Sequence, residues 1–406
     1  MSHKLLTDKI LPLVFNKGGT KFVECQFDSD SAGEDQFQSS VIFLTAIVSK
    51  GEDREEIPLI VKFEPSSEEV RGYLRTGVQF YTEVLMYARL LPLLNRNGIV
   101  EDCFARFYHG VGSGNEKIVV LEDLRPRGFR LAAERAFIDY EHLALAMDTL
   151  GRFHALSFAA KKESPDEFSS LIKRLEEPTW TDDNPFFPTI KTCIHRAVDP
   201  LVKAGKHVEV LTKFLHCVDT NLCDMMLELV APEEPSAVLC HGDFCRNNIL
   251  FRYTGEKVTD VKFFDVATSR YSSPMIDISF FLLMNSSATV RQSCWDDLLT
   301  IYHRALSTAI PGTEVPSLED VRKEVTNNGI YGFIHCSYFL PMMLYEDNPY
   351  ADVESLVRQP SENVAQDHLL VGGEAGTRLL SEMIEELLDR GCLSLQHKLL
   401  QSRSDP

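Results

Sequence analysis

The chain has 406 residues, of which 44% are hydrophobic and 10% aromatic, the composition of a globular protein rather than of a disordered one. That length is long for a single core and predicts two lobes or two domains. With 41 Lys and Arg against 60 Asp and Glu, the formal net charge is −19. Such a balance argues against nucleic acid and against anionic membrane surfaces, which both select basic patches.

Ten cysteines are scattered without C-x-x-C spacing, the pattern of reduced cytosolic thiols. The stretch Met1-Ser2-His3-Lys4-Leu5-Leu6 lacks the apolar core of a signal peptide, and no apolar run reaches the ~18 residues of a membrane span. The reading is a cytoplasmic protein with no membrane contact and no obligate protein partner.

In chain order, residues 1 to about 25 read as an amphipathic helix followed by a strand. Asp28 to Gln38 is polar and turn-rich, Val41 to Val48 is a strand of high β propensity, and the charged residues Lys50 to Glu56 are expected to form a hairpin loop. The strand Pro58 to Phe63 ends in Lys62, whose burial is costly without an anionic partner. Glu83 offers one, because it lies among apolar residues at helical spacing in Gln79 to Tyr87. A strand lysine followed by a helix glutamate is the pair that aligns ATP phosphates in kinases. Upstream, Ser31 to Ser40 is the candidate phosphate-covering loop, with the backbone near Gly33 and the hydroxyl of Ser39 as contacts. It carries one glycine, so it is neither G-x-G-x-x-G nor a Walker loop.

Ile118 to Leu124 reads as a strand running into an acidic dipeptide, where a hinge between lobes would fall. Adenine would meet backbone groups there, with Glu122 and Leu124 as the named contacts, while Asp123 is read chiefly as a turn former. From Tyr140 to Ala160 the pattern is helical, and His154 within it reads as a satisfied core histidine. Residues 161 to 236 are polar at first and helical from about 190 to 230, an insertion suited to shaping an acceptor pocket.

The most specific signal is the run Val238 to Leu250 followed by Val261 to Asp265. Each half is an apolar strand ending in a polar cluster. His241-Gly242-Asp243 with Asn248 has the H-G-D-x-x-x-x-N form of a kinase catalytic loop, and Asp265 stands where the metal-binding Asp after the next strand belongs. Asp243 can accept or orient the proton of an attacking hydroxyl. Asn248 and Asp265 bring the hard oxygen atoms that Mg²⁺ prefers. Asp277, in the first turn of the next helix, is read as a support for the catalytic-loop backbone. It stands only twelve positions after Asp265, too few for the activation segment with which protein kinases bind peptides. The remainder, about 285 to 400, is helical, and the aromatic and Met density of Tyr331 to Met343 marks core or the wall of an apolar acceptor cleft.

This ordered set resembles the ecdysteroid kinase-like family, within the aminoglycoside phosphotransferase and choline kinase superfamily. The resemblance rests on Pro58 to Lys62 with Glu83, Tyr87 and Pro92; on Leu121-Glu122-Asp123-Leu124 with Gly128-Phe129; on Phe153-His154-Ala155; on His241-Gly242-Asp243 with Asn248; and on Asp265 with Asp277. It implies an α+β, two-lobed protein-kinase-like fold, with a β-rich N-lobe over residues 1–124 and a mainly helical C-lobe over residues 125–406. It also implies ATP and Mg²⁺ as cofactors and a small-molecule alcohol as acceptor, an ecdysteroid first. By matching position, Asp243 is the base, Asn248 and Asp265 hold the metal, Lys62 meets the phosphates and Glu83 orients Lys62. The alternatives are a choline, sugar or xenobiotic kinase of the same fold, and a kinase-like binding protein with weak catalysis. Two departures stand out. Gly33-Glu34-Asp35-Gln36-Phe37-Gln38-Ser39 lacks the family's Asn and is one residue longer. The metal strand ends Asp265-Val266-Ala267 in place of Asp-Phe-Gln.

Overall fold

Alternating apolar residues in the first third of the chain form a sheet with two covered faces. The computed structural model describes residues 3–28, 40–345 and 353–401, so Gly33 and Ser39 lie outside the described residues. The strands are β1 (Thr20–Phe27), β2 (Ser40–Lys50), β3 (Asp53–Phe63), β4 (Phe107–Val111) and β5 (Ile118–Glu122), in the order β1-β2-β3-β5-β4 with antiparallel neighbours. The loop expected over Lys50 to Glu56 is far shorter. β2 and β3 pair up to Lys50 opposite Asp53, and the turn is left to Gly51 and Glu52. Gly51 at φ +67° supplies the positive φ that a two-residue turn needs, and the charged residues after it stay on an exposed stretch of strand.

Period-two alternation then decides where Lys62 goes. Leu59, Val61 and Phe63 of β3 pack, with Leu44, Ala46, Val48, Ile118 and Val120, against Leu6, Ile10, Leu11 and Val14 of the N-terminal helical segment. Ile60, Val119 and Leu121 join the main core instead. Lys62 pairs with Val119, so it shares that second face. Against this face lies α1 (Thr76–Leu85), which runs on helically to residue 94 and buries Phe80, Leu85, Met86, Leu90, Leu91 and Leu94 in the same core.

The C-terminal region is helical. Its longest element is α2 (Tyr140–Glu163), started by the Asp139 side chain, which accepts from the His142 amide at 3.0 Å. α3 (Met275–Asn285) is buried along its whole length, as its all-round hydrophobicity requires, and packs against α4 (Ile330–Leu344). Short strands are set into this region: β6 (Phe129–Arg130), β7 (Val238–Cys240), β8 (Ile249–Thr254), β9 (Lys257–Phe263) and β10 (Arg270–Ser272). β7 pairs with β10, and β6, β8 and β9 form a three-stranded sheet. The two regions are tied together where Lys262 of β9, only 3% exposed, donates to the carbonyls of Glu101 at 2.5 Å and Asp102 at 3.2 Å. Among the described residues, no helix is long and apolar enough to cross a membrane.

Candidate active site

The loop between β7 and β8 is held from below by one carboxylate. Asp277, fully buried on α3, accepts from the backbone N–H of His241 at 2.7 Å and of Gly242 at 2.8 Å. His154 Nε2 lies 3.1 Å from the same carboxylate, and His154 Nδ1 lies 2.9 Å from Tyr302 Oη. His154 is thus a satisfied core histidine, and what it satisfies is the support of the loop. Burial works against the Asp277 anion, but its bond to His154 and the charges and amides around it hold the carboxyl below its usual range. Gly242 takes φ +91°, and a Cβ there would meet the Thr268 carbonyl oxygen at 2.0 Å, so no other residue fits this turn.

His241 crosses to the neighbouring strand end, where its Nε2 donates to the Phe264 carbonyl at 2.8 Å. The Phe264 amide donates to the Asn248 carbonyl at 3.1 Å. These two bonds fix the loop against the residue before Asp265, which itself sits in the left-handed region at φ 59°. An Asp tolerates that conformation better than most side chains.

Asp243 and Asn248 are joined directly. Asn248 Nδ2 donates at 2.8 Å both to the Asp243 carbonyl and to Asp243 Oδ2. With the amide nitrogen committed, Oδ1 is the Asn248 atom left to meet a cation. Burial pushes the Asp243 carboxyl above its usual value, against the opposing pull of His241 and the Asn248 bond.

Lys62 arrives from the sheet. Its Nζ stands 2.9 Å from Glu83 Oε2 and 2.8 Å from Asp265 Oδ1, so one ammonium bridges α1 and the turn after β9. Glu83 is 1% exposed, whereas the Asp265 side chain is 32% exposed. Burial disfavours the Lys62 ammonium, yet the two carboxylates outweigh it and raise its pKa. Burial also lifts Glu83 above its usual range in spite of Lys62, while Asp265 is held below its range by Lys62 against the effect of burial. The structure therefore brings Lys62, Glu83, Asp243, Asn248 and Asp265 together. Asn248 Oδ1 and the Asp265 carboxylate are hard donors from adjacent turns, the chemistry that suits Mg²⁺.

At the hinge the Glu122 carboxylate turns outward to Arg127 at 3.0 Å, and Leu124 is buried. Asp123 does more than form a turn. Its buried carboxylate grips Arg125 through Nε at 3.0 Å and Nη2 at 2.9 Å, and that guanidinium lies 3.6 Å over the Phe43 ring of β2. Sequence reasoning missed Arg125, and it also missed Arg270, which is buried beside the catalytic loop. The available signal for Arg270 was a lone cation in a run of small and apolar residues immediately after the metal-loop aspartate.

No curated protein matches the chain. The solved structures that the chain matches include amicoumacin kinase in complex with AMP-PNP, Ca²⁺ and Ami, at 14% identity over 90% of this chain and 96% of that one, with a TM-score of 0.41. A Plasmodium vivax ethanolamine kinase matches at 12% identity over 85% of this chain and 81% of its own, with a TM-score of 0.40. The GDP complex of aminoglycoside 2'-phosphotransferase-IIIa matches at 13% identity over 93% and 99%, with a TM-score of 0.41. The profile of one sequence family spans residues 33–311, most of the chain and every side chain of the cluster just described: the chain belongs to the ecdysteroid kinase-like family.

Proposed function

We infer that the chain is an ATP-dependent kinase that transfers the γ-phosphate to a hydroxyl of a small hydrophobic metabolite, with an ecdysteroid as the first acceptor to test. The observation that carries this reading is the Lys62 bridge, because it brings a sheet cation within 2.8 Å of a carboxylate 203 positions further along the chain. An ammonium anchored in that way is aimed at phosphate oxygens and kept charged by its partners. Asp243 is the residue that receives or orients the acceptor's proton, and the burial that raises its carboxyl brings it closer to the working pH of a general base. Asn248 and Asp265 would hold Mg²⁺, which when bound neutralises charge on the phosphates. Gly242 and Asp277 fix the direction of Asp243. The family suggests a hydroxylated small molecule as acceptor, while the net charge of −19 and the scattered cysteines support a cytosolic enzyme without nucleic acid or membrane as partner.

The test is phosphate transfer from ATP to a panel of hydroxylated metabolites that includes ecdysteroids, with mass detection of the product, in the wild type and in Asp243→Asn. The variant should lose about 10²–10⁴-fold in turnover, the range for a removed general base, while binding MgATP with similar affinity by calorimetry. It should also melt at a higher temperature, since a carboxyl whose pKa is raised on folding costs stability while it is ionised. Near-normal turnover in Asp243→Asn with a confirmed acceptor would overturn the assignment.

A further inference from the structure

Building on the kinase reading above, we propose that Arg270 is a specificity-determining residue for the acceptor: its guanidinium binds a second oxygen of a ring compound whose reacting hydroxyl lies at Asp243. Arg270 opens β10 and pairs in register with Cys240, three residues before Asp243. It is 6% exposed. A guanidinium that deep ordinarily has close partners for its N–H groups. Here the contacts are long: Nη2 lies 3.4 Å from Glu177 Oε1, and Nη1 lies 3.5 Å from Tyr331 Oη. Glu177 Oε1 is already engaged, accepting from the Thr179 amide at 2.9 Å and the Trp180 amide at 3.0 Å. Arg270 Nε is buried with no acceptor among the described residues. An under-coordinated buried cation is a donor set waiting for oxygen.

The surroundings say what carries that oxygen. His335 of α4 stacks on Phe280 at 4.3 Å and on Tyr338 at 5.6 Å, and the Trp180 ring stands edge-on to it at 5.9 Å. Burial, helped by the Arg270 charge, pushes the His335 pKa down to about 3, so this shelf is uncharged at neutral pH. The helix that carries His335 and Tyr338 also reaches the catalytic loop, where Asn247 Nδ2 lies 3.6 Å from Met343 Sδ. Arg270 also draws on the Asp243 carboxyl electrostatically, although burial and nearer groups act more strongly. Arg270 therefore acts on both the catalytic carboxylate and the neutral ring cluster around His335, in which His335 and Tyr338 are partly exposed. That arrangement fits a flat-faced ring system bearing at least one oxygen besides the hydroxyl that reacts. A single-oxygen alcohol such as choline would leave Nε unpaired.

The experiment is calorimetric titration of the wild type, Arg270→Lys and Arg270→Met with 20-hydroxyecdysone and with choline, beside steady-state kinetics. Arg270→Lys keeps the charge facing Glu177 and guards against misfolding, while it lacks the Nε donor and the fixed fork. Affinity for 20-hydroxyecdysone, and its KM, should worsen tenfold or more in both variants, the size expected for a lost hydrogen bond to a charged group. The KM for MgATP should stay within twofold, which a general loss of structure would not allow. Binding of 20-hydroxyecdysone within twofold of wild type in both variants would overturn the proposal, as would no binding by the wild type or tighter binding of choline. Arg270-dependent binding without phosphate transfer would sink the kinase reading and leave this site standing. Unimpaired transfer in Arg270→Met would do the reverse.

Discussion

Replacing Lys62 by Met tests the electrostatic centre of the site without touching the acceptor side. The ammonium holds two carboxylates at 2.9 and 2.8 Å, and their environments differ. Glu83 is 1% exposed and is left as a stranded buried anion, a change that costs about 3–5 kcal/mol when one partner of a buried pair is removed. Asp265, at 32% exposed, is open to water and adds little. Lys62→Met should therefore lose about 3–5 kcal/mol in urea unfolding followed by circular dichroism near pH 8. Lys62→Met/Glu83→Gln, with no stranded charge, should recover most of that loss although both variants are inactive. The pH dependence has a definite sign. Glu83 is already raised in the presence of Lys62, so without it the carboxyl must rise further and takes up a proton as pH falls. The gap between the single and double variants should narrow from pH 8 towards pH 5. A loss under about 1 kcal/mol, or a gap that ignores pH, would show that Glu83 does not depend on Lys62 for its charge.

Asp277→Asn should cost about 2–4 kcal/mol, because one amide oxygen cannot replace a carboxylate that meets two backbone N–H groups and His154. The Asp277 carboxyl is depressed on folding, so its contribution is present above the unfolded pKa of about 3.9 and is lost as pH falls through the folded value. Urea midpoints of the two proteins should converge only below about pH 4, and convergence near pH 6 would contradict the assignment. Gly242→Ala places a Cβ 2.0 Å from the Thr268 carbonyl oxygen at a φ of +91°, so the loop must move. A shift near 1 Å at Asp243 should lower kcat about 100-fold, and activity within threefold of wild type would show that the turn is not what aims the carboxylate.

Much of this site was legible in the sequence because it consists of short local patterns. The spacing of His241, Gly242, Asp243 and Asn248 needs only a strand, a tight turn and another strand, and β7 and β8 supply them. The pairing of Lys62 with Glu83 was also readable, since a lysine in an apolar strand has few other ways to be tolerated. What the sequence withheld is long-range. Nothing local shows that Lys62 also reaches Asp265, or that His154 braces Asp277 from a helix more than a hundred positions earlier. The hairpin between β2 and β3 misled for a different reason. Charged residues there resemble a loop, but they continue β3 beyond the stretch that pairs with β5, where the strand is exposed. Arg125 gave no signal because an arginine on a polar turn carries no pattern until its partners are known, and Arg270 gave only that of a lone cation among small and apolar residues. The candidate phosphate loop from Ser31 to Ser40 lies, apart from Ser40, outside the described residues.

The charge balance of the whole chain returns at the site in concentrated form. One ammonium, Lys62, is bound by two carboxylates, Glu83 and Asp265, and the Asp265 charge also acts on a third, Asp243. Arg270 faces Glu177 instead. A nucleoside triphosphate therefore approaches a cluster of net negative charge, and at the effective dielectric of a protein surface each like-charge contact near 4 Å costs on the order of 4 kcal/mol before relaxation. Lys62 cannot offset this alone, since its charge is already shared by two carboxylates. Divalent cation and nucleotide should thus enter as a unit, with Asn248 and Asp265 as the expected ligands. Calorimetry should find ATP binding at least about 100-fold weaker in EDTA than in excess Mg²⁺, a difference of about 2.7 kcal/mol. Asp265→Asn should narrow that ratio, because it removes both a metal ligand and part of the repulsion. Equal affinity with and without the metal would mean that the polyphosphate sits elsewhere, on cations outside this cluster.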